Sequence, residues 1–159
     1  MITFLQFFIS LLIIYSGLFA GLALAHIAKE EIKPGVKYFE WMKKIILATV
    51  FFLLLTKFSI ASMGLAVLAA GNYFLVKKKI GNFDKDIVHY LLFGILLGLS
   101  SNNPELLLLE GALVFLYGVP AGTILKNNNS LKVAFLKISS YLIFFIGALL
   151  GNLSSGGWA

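Results

Sequence analysis

Residues 1–25 read MITFLQFFISLLIIYSGLFAGLALA, an unbroken run without one charged side chain. A helix rises about 1.5 Å per residue, so roughly 20 apolar residues match a hydrocarbon slab of about 30 Å. The run exceeds that length and has no basic stretch ahead of it. It therefore reads as a first membrane span and not as a cleaved signal peptide.

The rest of the 159-residue chain repeats the pattern. Hydrophobic residues make up 60% and charged residues 13%, and the mean hydropathy is +0.95. A soluble domain of this size has too little interior to hide that much apolar surface. Apolar runs predict six helices over 3–25, 41–57, 59–76, 87–101, 105–125 and 133–152. The expected fold is an all-α, polytopic integral membrane protein, one transmembrane domain over 1–159.

All thirteen basic residues are lysines, and their placement threads the chain. Lys29, Lys33, Lys37, Lys43 and Lys44 fall in the first connection, 26–44. Lys77, Lys78, Lys79 and Lys85 fall in the third, 77–86. Lys126 and Lys132 occupy the fifth, with Lys137 one turn inside the last helix and able to snorkel back. Outside these segments only Lys57 remains. Positive segments face the cytoplasm, which places both termini outside, with a prokaryotic cell membrane as the expected location. The net charge of +6 is thus assigned to helix-end anchors facing anionic headgroups, and nucleic acid is not an expected partner.

The second helix is the short one. Only about 18 Å of helix separates Lys44 from Lys57, so its flanking lysines must snorkel and Trp41 must lie at the interface. Joining 45–76 into one bent span would put the first and third lysine-rich connections on opposite faces, and the charge pattern rejects that. Pro34-Gly35 predicts a turn within the first connection. Tyr38, Phe39 and Trp41 after it suit an interfacial lead-in. The Ser- and Gly-rich tail, 151–159, is expected to end at the outer headgroups.

Glycine pairs recur four residues apart: Gly17/Gly21, Gly94/Gly98, Gly118/Gly122 and Gly147/Gly151. Close helix packing explains such pairs. A second explanation is an inverted repeat, 1–79 with 80–159. Gly17 to Leu22 resembles Gly94 to Leu99, and Gly71-Asn72 resembles Gly151-Asn152. Inverted halves place ligand sites between them in many transporters.

Ionisable groups within a span are costly and become functional candidates. Glu110 lies about 7–8 Å inside the fifth helix and must face the bundle, be protonated or pair with a cation. It is read either as a proton or cation relay or as a carboxyl hydrogen-bonded within the bundle. Asn72 and Asn152 can line a polar pathway or bond between helices. Pro120 must free the carbonyl of Leu116, bending the helix or offering an acceptor to a cavity. Ser139 and Ser140 can bond to their own helix. Asn103, Pro104 and Glu105 form an N-terminal cap. His26, Glu30 and Glu31 are weak metal candidates whose spacing matches no ligand motif, and pairing of the two carboxylates with Lys33 and Lys37 is the simpler reading. His89 is expected at the interface.

The chain has no cysteine, which excludes disulfides and thiolate chemistry. There is no nucleophile elbow, phosphate-binding loop or HExxH motif, and no cofactor is expected. The leading functional expectation is a small six-helix transporter or channel for a small solute or ion. It would be coupled to protons or cations through Glu110 and surrounded by lipid, most simply as a homo-oligomer. The alternatives are an accessory subunit of a larger membrane complex and an intramembrane lipid-modifying enzyme.

Overall fold

The computed structural model describes residues 3–57, 85–128 and 130–155, and all of their regular structure is helical. In chain order the helices are α1 (Phe4–Tyr15), α2 (Gly17–Ile27), α3 (Lys29–Lys57), α4 (Lys85–Leu99), α5 (Pro104–Asn128), α6 (Leu131–Ser140) and α7 (Ile143–Ser154), with a 3₁₀ turn at Ser100–Asn102. Among the described residues, three segments are long and apolar enough to cross a membrane: Phe4–Ile27, Pro104–Lys126 and Leu131–Ser154. The apolar helix over Asp86–Asn102 is shorter.

The first of these begins with a full capping box. Thr3 Oγ1 accepts from the Gln6 amide, and the Gln6 side chain accepts from the Thr3 amide. It is interrupted at Ser16, whose hydroxyl donates to the Ile13 carbonyl at 2.6 Å. The last is interrupted at Tyr141–Leu142, where Leu142 N donates to Ser139, three residues back. The two interruptions meet. Tyr15 donates its hydroxyl to the carbonyl of Ile138, an acceptor whose four-residue ladder bond is lost at the break.

Glycines set how the helices pack. Gly17 lies against Phe115 and Gly118, and Gly21 against Val119 and Gly122. An advance of four residues on α2 matches four on α5, so the two helices run parallel. Gly94 meets Phe144 and Ala148, and Gly98 meets Ala148, Gly151 and Asn152, so α4 and α7 are parallel as well. A Cβ at Gly98 would lie 2.6 Å from Asn152 N and 2.8 Å from Gly151 C. A larger residue would push the pair apart. Thr123 adds a polar tie across the first interface, donating to Gly21 O at 3.1 Å.

Three expectations change. The turn at Pro34-Gly35 is absent, and α3 runs through it as one 29-residue helix. Pro34 is the sixth residue of α3, so its missing N–H leaves the Glu30 carbonyl without its ladder donor near the exposed start of the helix. The expected second helix, 41–57, is thus the second half of α3. The tail starts later than expected, because α7 continues to Ser154. The expected third helix, 59–76, lies outside the described residues. The cap at Asn103 is as expected, with its side-chain oxygen accepting from Leu106 N at 3.2 Å. Ser139 and Ser140 bond to Phe135 O and Lys137 O of their own helix.

The outer surface is apolar. Leu108 is 77% and Leu153 66% exposed, beside many smaller apolar contributions. In water this would be an aggregation hazard, whereas in a bilayer it is the solvent-matched face.

Candidate functional site

The buried stripe of α5 carries Leu107, Glu110, Val114, Tyr117, Ala121 and Leu125, a spacing of three and four that keeps them on one face. Two polar levels lie on this stripe. Glu110 and Tyr117 are two turns apart, roughly 10 Å along the axis. Val114 stands between them, and Phe93 and Leu97 of α4 are buried in the same core.

The level at Tyr117 is an ionic cluster drawn from three helices. Lys43 of α3 donates to both carboxylate oxygens of Asp86 on α4, at 2.6 and 2.7 Å. Tyr117 donates its hydroxyl to Asp86 Oδ1 at 3.0 Å, and His89 Nδ1 lies 2.6 Å from the same hydroxyl. Because Tyr117 gives its one hydroxyl proton to Asp86, its oxygen accepts from His89, which places the imidazole proton on Nδ1 when His89 is neutral. The Lys43 ammonium also sits 5.3 Å from the Tyr117 ring centroid. Lys43 and Asp86 are 16% and 18% exposed, so the pair is largely desolvated. Tyr117 is close to the midpoint of α5, about 20 Å from its first residue.

Aromatic rings wall this level. Tyr90 stacks on Tyr141 at 5.1 Å, Phe93 meets Tyr117 edge-on at 4.9 Å, and Tyr15 approaches Tyr90 and Phe144. The Tyr90 hydroxyl is buried and has no hydrogen-bond partner among the described residues. Such an orphan polar atom is rare in a packed interior.

The second level is smaller. Glu110 is 1% exposed, and its Oε2 accepts from Ser100 Oγ at 2.6 Å. Among the described residues its Oε1 has no partner, and neither does Asn152 Oδ1 on α7. Ser101, Asn102 and Ser155 complete a polar layer at this end, with Asn102 Nδ2 donating to Ser155 O at 3.1 Å.

Of the expected candidates, Glu110 and Asn152 are buried at the Ser100 end. Pro120 is buried within an uninterrupted α5, where it lies among packed side chains. Asn72 lies outside the described residues. His26, Glu30 and Glu31 are exposed and do not converge, and among the described residues no three ligand-type side chains could hold a metal. The Lys33 side chain, one of the expected partners of the two carboxylates, lies outside the described residues. The eight glycines, Gly17, Gly21, Gly94, Gly98, Gly118, Gly122, Gly147 and Gly151, are all at helix contacts.

His89 is a correction. It is 16% exposed and packed within the bundle against Tyr117 and Asp86, where it was expected as a plain interfacial side chain. Lys43, expected as an anchor, is its neighbour in the same cluster. One sequence signal was available. Tyrosine favours membrane interfaces, yet Tyr15, Tyr90, Tyr117 and Tyr141 all sit inside apolar runs, and all four meet in this core.

No protein-family model, curated protein or solved structure matches the chain.

Proposed function

We propose that the chain is a small polytopic membrane transporter or channel for a small solute or ion, coupled to movement of a proton or cation. One observation carries this reading: two levels of buried ionisable side chains on a single face of α5, separated by an apolar layer. Ionisable groups at such positions are expensive and mark pathways in membrane proteins. Glu110 with Ser100 is the station able to take up a proton, and the Lys43–Asp86 pair with His89 and Tyr117 is a second, charged station on the same path.

In this reading six spans cross the membrane, both termini lie outside, and the halves 1–79 and 80–159 are inverted repeats. The parallel pairing of α2 with α5 and of α4 with α7 fits that alternation of direction, and a homo-oligomer covers the outer apolar face. The absence of cysteine makes the topology directly measurable. Single cysteines introduced over 29–37 and 77–85 should label from the same side, and labelling from opposite sides ends the proposal.

Function is tested by flux into proteoliposomes loaded with a pH-sensitive dye. Wild-type protein should carry protons down an imposed gradient, and both Glu110→Gln and Asp86→Asn should abolish the signal. Undiminished flux in both variants would remove the relay role. The accessory-subunit reading is favoured by how fully the paired glycines are used in packing, and it predicts a stable endogenous partner on mild solubilisation.

A further inference from the structure

A cleft of about 320 Å³ opens on the side of the bundle between the C-terminal half of α2, the end of α5 and the start of α6. Its walls are Phe19, Leu22 and Ala23 from α2 and Leu131 and Phe135 from α6, with His26 and Lys126 completing the lining. The parallel run of α2 and α5 brings both basic side chains to the same end, where these spans terminate. Phe19 and Phe135 touch, with ring centroids 6.2 Å apart.

Two features of the cleft call for a ligand of mixed character. Lys126 is half-buried, yet among the described residues it makes no ion pair or hydrogen bond, and no carboxylate lines the cleft. A partly desolvated ammonium without a counter-ion is unfavourable and attracts an anion. The walls, in contrast, are almost wholly apolar. Water gains little there, whereas a hydrocarbon chain fills the space. The volume is at the small end of ligand pockets and suits one acyl chain, not a whole lipid.

We infer that this cleft is a binding site for an anionic phospholipid, whose phosphate sits between Lys126 and His26 and whose acyl chain lies along Phe19, Leu22 and Phe135. His26 presents at least one ring N–H to the phosphate in any tautomer, and Lys126 supplies the charge. Basic pockets between spans at the cytoplasmic boundary are a recurring form of headgroup recognition. The site is independent of the polar levels in the bundle core, so its failure leaves the transport reading untouched.

The test is native mass spectrometry of the full chain taken from vesicles of equimolar dioleoylphosphatidylglycerol and dioleoylphosphatidylcholine. Wild-type protein should retain one phosphatidylglycerol in about fivefold preference, the gain expected from a lysine near an anionic headgroup. Lys126→Ala with His26→Ala should abolish the preference, while Lys37→Ala, outside the cleft, should keep it. Ala23→Phe fills the cleft from an exposed position and should reduce retention of both lipids while leaving the two basic groups in place. Equal retention of both lipids by wild type, or an equal loss in Lys37→Ala, would overturn the site. So would loss of the preference on adding millimolar inorganic phosphate, or a lipid-free dimer that hides the cleft.

Discussion

The two polar levels on α5 are built from similar side chains but satisfied to different degrees. At Tyr117 the carboxylate of Asp86 receives two bonds from Lys43 and one from Tyr117, and an aromatic ring lies under the ammonium. At Glu110, among the described residues, one oxygen is bonded and the other is not, and Asn152 carries a second unpaired acceptor at the same end. A saturated charge pair holds helices together, and its loss is costly. A half-satisfied network stores polar groups that a proton, water or ion can complete. The first level is therefore the stronger structural tie, and the second is the one readier to take up a ligand.

The sharpest way to break this contrast is Asp86→Ala. It strands the Lys43 ammonium in a largely dry site, and thermal unfolding in detergent should report a loss of about 3 kcal/mol. The double variant Lys43→Met with Asp86→Leu removes both charges and should recover most of that loss. Persistent destabilisation of the double variant would mean that shape, not charge, holds the cluster.

Ser100→Ala comes next. It removes the Ser100 donor to Glu110 and should cost about 1–2 kcal/mol in the same assay. Glu110→Gln keeps an acceptor for Ser100 and should stay within about 1 kcal/mol of wild type. Stability retained with flux lost would place Glu110 in the pathway. The smallest effect belongs to Asn152→Leu, which removes an unpaired acceptor at similar volume and should be neutral within about 0.5 kcal/mol. A large loss there would show that Asn152 bonds to a group from outside the described residues.

Much of this architecture was legible from residue patterns alone. Residues 1–25, 105–125 and 133–152 announce themselves because a lipid solvent demands long apolar stretches, and that demand is local. The cap at Asn103 and the backbone bonds of Ser139 and Ser140 are local in the same sense. Pro34-Gly35 misled because a proline near a helix start and a proline in a turn share one local signature, and only the packing of α3 chooses between them.

The candidate site divides along the same line. Glu110 stood out because a carboxylate between Leu109 and Gly111 has no cheap explanation in an apolar run. Asp86, His89 and Lys43 did not stand out, because each lies beside other charged or polar residues in sequence and resembles a helix-end anchor. Their meeting with Tyr117 depends on where α3 crosses α5 and on how far α4 slides along it.

The amino-acid order by itself determined the helical class, the apolar spans and the buried carboxylate at 110, because each follows from what one segment must do with its own backbone and side chains in lipid. Only the tertiary structure decided which glycines face which helix, and that four residues from three helices form one ionic cluster. Those facts depend on the register between distant segments, which close contact sets and no single stretch encodes.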